Sequence, residues 1–200
     1  MAEGLLRRIL ALSGVGAEVG SAGLLPGGAP ATPEAVATMA ARRIDISGHV
    51  SRTVDVEMAR TTTLIIGMTR QHVRELCATY GADMDRTFTL KEIVRRGDEV
   101  GPRYHGESVR SWLRRLAVGR RPADLMGDDP IDDIADPVGR PRAVFEETAD
   151  ELERLLRRLV ELLVGEPRRS AAYAEPARVL RGAAHRPEPH VNDPTGHTRR

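Results

Sequence analysis

The chain has 200 residues, 30 Lys+Arg against 29 Asp+Glu and a formal net charge of +1, so it lacks a global field for binding nucleic acid or an anionic membrane. Hydrophobic residues make up 40% and aromatic residues 3%, which predicts an aliphatic core. No stretch approaches the roughly 20 apolar residues that span a bilayer, and the single cysteine, Cys77, excludes a disulfide framework or a multi-cysteine zinc site.

Helical and strand patterns alternate along the chain. Helices are predicted over 2–13, 32–43, 55–60, 69–80, 91–96, 106–117 and 141–164. Short strands are predicted over 18–21, 63–68 and 86–90. The alternation favours an α/β fold with a parallel sheet and helices on both faces. After residue 164, prolines with scattered Arg and His predict a disordered tail over 165–200.

An acidic loop over 122–137 contains two Asp-Pro steps, at Asp129 and Asp136. From the residues alone, an Asp-Pro step is most often a turn. The aspartates could instead suggest a cation site, but their spacing is not that of a calcium loop. We therefore favour a solvated acidic loop and expect no metal. The aspartates concerned are Asp128, Asp129, Asp132, Asp133 and Asp136.

Four segments, in the same order, resemble the low-molecular-weight protein-tyrosine-phosphatase family. They are MAEGLLR at 1–7, the run from SAG at 21 to SR at 52, LIIGMTRQH at 64–72, and the run from DPVG at 136 to FEET at 148. The similarity covers a domain over roughly 1–164, with an apparent insertion near 98–128. It implies a three-layer α/β sandwich with a four-stranded parallel sheet in the order 2-1-3-4.

The resemblance also implies a chemistry. Family members use a cysteine, five residues and an arginine on a loop between the first strand and first helix, where backbone N–H groups bind phosphate oxygens. The cysteine thiolate is phosphorylated, and an aspartate protonates the leaving oxygen. Here the similarity starts at Met1, just past that loop, so the first strand, the cysteine and the arginine are absent; we expect a start codon assigned too late or a genuine truncation. The residue six positions after Cys77 is Asp83, so we expect Cys77 to be an inert packed thiol.

Asp136 matches the general acid of the family, and the resemblance favours that role over a plain turn. His49, Ser51, Arg52 and His72 match supporting positions. The two histidines either support the hydrogen bonds of the phosphate loop or only cap and pack. Many relatives carry aromatic residues after the aspartate, whereas Val138-Gly139 stands here, which argues against selecting phosphotyrosine by aromatic stacking. No cofactor is expected.

Three functions remain open. The first is a cytoplasmic phosphomonoester hydrolase that acts on phosphorylated proteins, either at phosphotyrosine or at phosphoarginine, with no nucleic-acid or membrane partner. The second is a non-catalytic interaction protein. The third, a thiol-coupled arsenate reductase, relays oxidation between several cysteines and is disfavoured by Cys77 standing alone. Tyr104 and Trp112 in the insertion could wall a substrate cleft, although a locally packed helix is the preferred interpretation.

We predict that the 200-residue chain aggregates or is inactive on a chromogenic phosphate ester. Loss of a central strand exposes two sheet edges and empties the core beside residues 64–66. The same residues placed behind a strand and a Cys-x5-Arg loop, called the extended chain below, should hydrolyse the ester. Ordinary turnover by a soluble 200-residue monomer contradicts this. Translation of the coding sequence ahead of Met1 gives a second test, because the enzyme hypothesis requires a cysteine and an arginine at family spacing there.

Overall fold

The computed structural model describes residues 1–126 and 130–165. In that part of the chain, seven α-helices surround two short strands. In chain order they are α1 (Ala2–Leu12), α2 (Pro33–Ala41), α3 (Val56–Thr61), β1 (Ile65–Gly67), α4 (Arg70–Ala78), β2 (Thr87–Thr89), α5 (Leu90–Val100), α6 (Val109–Ala117) and α7 (Arg142–Val164). None of the helices so described is both long and apolar enough to span a membrane. The predicted tail lies outside the described residues from 166 onward.

Short polar side chains set where several helices begin. Thr32, Thr69 and Thr89 accept hydrogen bonds from backbone N–H groups three residues later, at 3.3, 3.2 and 3.1 Å. Ser108 begins α6 in the same way. These bonds satisfy amide groups that have no partner inside a helix. By contrast, no side chain caps α1, which begins directly after Met1.

The sheet is a parallel pair in which Ile65 lies opposite Thr87 and Gly67 lies opposite Thr89. The parallel pairing agrees with the alternating pattern of strands and helices. Both strands run directly into helix starts, β1 into α4 through Thr69 and β2 into α5. The N-termini of these two helices therefore share the carboxyl edge of the sheet, the edge at which open α/β sheets bind ligands.

The predicted strand at 18–21 is wrong in the described structure, where two strands form the sheet rather than the three predicted for this chain. The carbonyl oxygen of Val19 accepts hydrogen bonds from the Arg7 guanidinium, and that of Ser21 accepts one from Arg52. Side chains thus satisfy backbone groups that a neighbouring strand would otherwise bind. Only Gly23, beside this segment, forms an isolated parallel bridge, to Thr53. The four-stranded order 2-1-3-4 stays a prediction.

The core forms around α7, which packs against α1, α2 and α5. Its buried face carries Phe145, Leu152 and Leu159 at helical spacing, and these side chains are at most 3% exposed. Trp112 is fully buried, and its indole N–H donates to the Gly101 carbonyl oxygen at 3.1 Å. The packed-helix interpretation therefore fits Trp112. Tyr104, in contrast, stays 62% exposed with the Arg115 guanidinium 4.0 Å from its ring centroid.

Arg120 joins the end of the α6 region to the sheet. Its side chain is 2% exposed, and its guanidinium contacts both carboxylate oxygens of Glu92 at 2.8 and 3.0 Å. It also donates to the Thr87 carbonyl oxygen at 2.9 Å and lies 4.1 Å from the centroid of the Phe88 ring. Arg96 supplies a second, weaker contact to Glu92 at 3.2 Å. This arrangement keeps a buried carboxylate paired.

We predict that Arg120→Leu destabilises the extended chain by about 3 kcal/mol, because it leaves Glu92 buried with only Arg96 as a partner. Urea-unfolding midpoints measure the change. Replacing both Glu92 and Arg120 by leucine should recover much of the loss, since neither charge then remains. Arg142→Leu, which removes an exposed ion pair with Glu146, should cost less than about 1 kcal/mol and serves as control. Equal effects of Arg120→Leu and Arg142→Leu contradict the assignment.

Candidate active site

Residues 130–140, called the acid loop here, are attached to the carboxyl edge of the sheet. The Ile134 N–H donates to the Met68 carbonyl oxygen at 2.8 Å, just past the end of β1. The Arg70 N–H, at the start of α4, donates to Asp133 Oδ1 at 2.8 Å. The Asp133 carboxylate therefore sits at a helix N-terminus, where negative charge is favoured. These bonds place the loop where a parallel sheet normally presents its ligand site.

Asp132 lies beside these bonds and is buried. It is 5% exposed and forms ion pairs with Arg70 and Arg95, at 3.2 and 3.1 Å. Neither these two arginines nor Asp133 was among the predicted site residues. The available signal was the dense run of aspartates after residue 127, but the sequence alone does not say which of them faces inward.

Asp136 is exposed, four positions further along the acid loop. Its Oδ1 accepts a hydrogen bond from the Val138 N–H at 3.0 Å, which makes a local turn. Pro137 between them is buried, and Gly139 takes a φ of +75°, which favours glycine. The structure thus shows the turn predicted from the Asp-Pro step. It also leaves the carboxyl group at the surface, where a ligand can reach it.

A second group of polar side chains surrounds Glu3 on α1. The Arg7 guanidinium lies 2.6 Å from Glu3, the Ser21 hydroxyl donates to it, and His49 Nδ1 is 3.9 Å away. Arg52 Nε donates to the Ser21 carbonyl oxygen at 2.9 Å. Glu3 is therefore a shared partner for segments that are far apart in sequence. Its signal in the sequence is only the Glu3–Arg7 spacing of an i,i+4 pair.

The remaining predicted supporting residues are placed by local bonds. Ser51 Oγ accepts from the Ala29 N–H at 3.0 Å, and so connects its loop to the glycine-rich segment. The His72 N–H donates to Thr69 Oγ1 in the cap of α4. A Cβ atom at Gly67 would lie 3.1 Å from that of His72, so His72 lies against the end of β1.

The predicted site residues thus fall into two groups. In the first, His49 lies 3.9 Å from Glu3, Arg52 bonds to the Ser21 carbonyl oxygen, and Ser51 bonds to Ala29. The second consists of His72 in the first turn of α4 and Asp136 on the acid loop, and no hydrogen bond or ion pair joins these two in the described structure. Within the described residues, the hydrogen bonds and ion pairs do not connect the two groups. A cavity of about 490 Å³ near Ile9, Pro102 and Leu162 is lined by neither group.

The described part of the chain contains no group of three His, Cys, Asp or Glu side chains that could hold a metal ion. Asp132 is engaged by two arginines and Asp133 by the start of α4. Asp128 and Asp129 lie outside the described residues.

Cys77 is a poor nucleophile where it lies. It is half-buried against the small apolar cluster of Ala59, Leu76 and Ala82. Burial raises the pKa of the Cys77 thiol above its ordinary value, and this outweighs the opposing effect of the Arg120 charge. Since the thiolate is the reactive form, a raised pKa lowers its population at neutral pH.

The chain is similar to a known protein family and to a curated protein. The family model for low molecular weight phosphotyrosine protein phosphatases matches residues 1–107. The chain is 31% identical over 165 residues to the protein-arginine-phosphatase of Bacillus subtilis (strain 168), covering 82% of this chain and 87% of that protein.

Two solved structures of phosphatases are also similar to the chain. The low molecular weight protein tyrosine phosphatase from T. tengcongensis is 29% identical, with a TM-score of 0.60, over 81% of this chain and 88% of the other. A variant of the YwlE arginine phosphatase with a phosphorylated active-site serine in place of a cysteine is 28% identical, with a TM-score of 0.58, over 79% and 82%.

We predict that iodoacetamide alkylates Cys77 at least about tenfold more slowly in the folded protein than in the urea-unfolded protein near neutral pH, because burial disfavours the thiolate. The experiment uses the extended chain with serine in place of its loop cysteine, so that Cys77 is the only thiol. Mass spectrometry follows the reaction. Equal or faster alkylation of the folded protein contradicts the inert-thiol assignment.

Proposed function

The chain belongs to the low molecular weight phosphotyrosine protein phosphatase family. We therefore propose that it is the part of a phosphomonoester hydrolase that supports the Cys-x5-Arg loop and supplies the general acid, and that this enzyme acts on phosphorylated proteins. The observation that carries the proposal, beyond membership, is the acid loop. It presents an exposed Asp136 while its preceding residues are bonded to Met68 and to the start of α4. An exposed carboxyl group on an anchored loop suits a proton donor to a bound substrate.

The proposed reaction has two steps. The thiolate of the Cys-x5-Arg loop attacks phosphorus, and the bond from phosphorus to the leaving atom breaks. That atom, the phenolic oxygen of phosphotyrosine or the guanidino nitrogen of phosphoarginine, receives a proton from Asp136. Water then attacks the cysteinyl phosphate, Asp136 takes a proton from it, and inorganic phosphate leaves with the thiolate restored. The 200 residues contain no Cys-x5-Arg sequence. Under this proposal the nucleophile therefore lies outside them, and the chain as printed is inactive by itself.

The supporting residues have roles in the same proposal. His49, Ser51 and Arg52 hold the segments next to α1, whose first turn would follow the phosphate loop. Glu3 connects them, because it contacts Arg7, Ser21 and His49 together. His72 lies at the end of β1, beside the cap of α4. These residues orient the surroundings of the loop and do not take part in bond breaking.

Phosphotyrosine and phosphoarginine are the two candidate substrates. The family description names the first, whereas the curated relative is named a protein-arginine-phosphatase. Val138 favours the second. It follows Asp136-Pro137, is 63% exposed, and offers no aromatic ring against which a phosphotyrosine could stack. We propose the cytoplasm as the compartment, which cell fractionation tests.

We predict that Asp136→Asn lowers the kcat of the extended chain about 100-fold for aryl phosphates with poor leaving groups. The effect should be small for nitrophenyl phosphate, because its leaving oxygen needs little protonation. Steady-state kinetics across a series of leaving groups measure the split. Asp98→Asn, which removes an exposed ion pair with Arg158, is the matched carboxylate-to-amide control and should leave kcat unchanged.

An unchanged rate with Asp136→Asn for every leaving group would mean that the acid lies elsewhere. No turnover by the extended chain on any phosphate ester would favour the non-catalytic interaction protein. Parallel assays on phosphotyrosine and phosphoarginine peptides decide between the two substrates, since kcat/KM compares them directly.

A further inference from the structure

We propose that Asp132, through its ion pairs with Arg70 and Arg95, positions the general acid Asp136. These three residues, called the Asp132 clamp, hold the acid loop so that Asp136 meets the leaving oxygen. The inference rests on the proposed function and deepens it by adding positioning residues that do not themselves touch substrate. Its starting point is the buried carboxylate of Asp132, which has no role in the proposed reaction.

Both carboxylate oxygens of Asp132 are occupied. Arg70 approaches Oδ2 through Nη2 at 3.2 Å and Nε at 3.4 Å. Arg95 Nη2 lies 3.1 Å from Oδ1 and 3.2 Å from Oδ2. The Asp132 side chain is only 7% exposed, so solvent screens these contacts weakly. Asp132 consequently serves as an acceptor for two guanidinium groups and has no free oxygen with which to meet a substrate.

The two arginines come from the two helices that follow the strands. Arg70 is the first residue of α4, directly after β1 and its cap, and Arg95 lies on α5, directly after β2. One carboxylate in the acid loop is therefore bonded to the two helices that follow the strands of the parallel pair. The neighbouring bonds from Arg70 N–H to Asp133 and from Ile134 N–H to Met68 point to the same edge.

Asp136 is so close in sequence to the Asp132 clamp that the clamp restricts where Asp136 can lie. Three residues separate Asp132 from Asp136, and Ile134 among them is buried and bonded to Met68. Asp136 is followed by the buried Pro137 and closed by the Val138 turn. The exposed acid thus sits between two constrained points. A misplacement of about 1 Å can cost on the order of 100-fold in rate, so such constraint matters for proton transfer.

Stability alone does not account for the clamp. Replacing a buried ion pair by well-packed apolar residues is often neutral or stabilising, so buried charge is weak support for a purely stabilising role. A carboxylate held by two guanidinium groups does, however, have a defined direction that an apolar contact lacks. A proton donor must be oriented toward the atom that it protonates, so a contact with a defined geometry suits the loop that carries Asp136.

The first test measures the loop without chemistry. Hydrogen exchange of the Ile134 amide should become about tenfold faster in Asp132→Asn, because the loop opens more often. The extended chain and the 200-residue chain are measured in parallel. Arg95→Gln is a milder second variant, since Arg95 is 48% exposed and Arg70 remains, and it should change exchange in the same direction. Asp98→Asn is the control and should not change it. Unchanged protection of Ile134 in both variants overturns the proposal.

The second test separates positioning from general stability. In the extended chain, Asp132→Asn should lower kcat about tenfold for poor leaving groups while nitrophenyl phosphate turnover and KM stay near wild type. Combined with Asp136→Asn it should add no further loss, because both act through one proton. Equal losses for good and poor leaving groups, or an additive double variant, overturn the positioning role.

The two proposals fail differently. If Asp136→Asn shows no dependence on the leaving group, the acid assignment falls and the positioning role falls with it. If Asp136→Asn shows that dependence and Asp132→Asn does not, only the positioning role is overturned.

Discussion

The attachment of residues 132–134 to the end of β1 and to helices α4 and α5 is the constraint on which the candidate site depends. Two strands of three residues each form a small sheet, yet their parallel register brings the starts of α4 and α5 to one edge. Helix starts carry unpaired N–H groups and attract carboxylates. At the start of α4, the Arg70 N–H donates to the Asp133 carboxylate. Arg70 on α4 and Arg95 on α5 form ion pairs with Asp132. The acid loop, whose regular structure is a 3-10 turn at Pro130–Asp132, thereby acquires a defined place.

How far the sequence could predict this differs between elements. The starts of α2 and α4 were predictable because a threonine at the cap acts on an amide three residues away, whereas the start of α5 at Leu90 was predicted to lie in a strand. The long α7 was predictable because its apolar residues repeat at helical spacing. The Asp132 clamp was not, because Arg70 and Arg95 lie 62 and 37 positions away from their partner. Long-range ion pairs leave no periodic trace in a sequence.

The strand predicted at 18–21 failed for a related reason. Strand formation depends on a partner with free backbone groups, and β propensity mostly reflects packing against neighbours. Around Val19 and Ser21 the described partners are guanidinium groups of Arg7 and Arg52 instead. A Cβ at Gly20, between them, would lie 2.5 Å from the Arg52 guanidinium, so any larger residue there would displace the Arg52 side chain. The same close approach brings Arg52 next to the Glu3 group.

In the proposed function the two groups of site residues have different tasks. The group around Glu3 carries His49, with Arg7 and Arg52 close by, at the start of α1, whereas the acid loop carries carboxylates at the sheet edge. Phosphate oxygens need positive charge and N–H donors, and the leaving oxygen needs a proton. A proton donor acts only when it is held near the leaving atom, so the proposal requires the loop that carries Asp136 to be anchored. Under the proposal the Asp132 clamp provides this anchor, because its two arginines pair a buried carboxylate, while Asp136 is the one aspartate of the acid loop that is exposed.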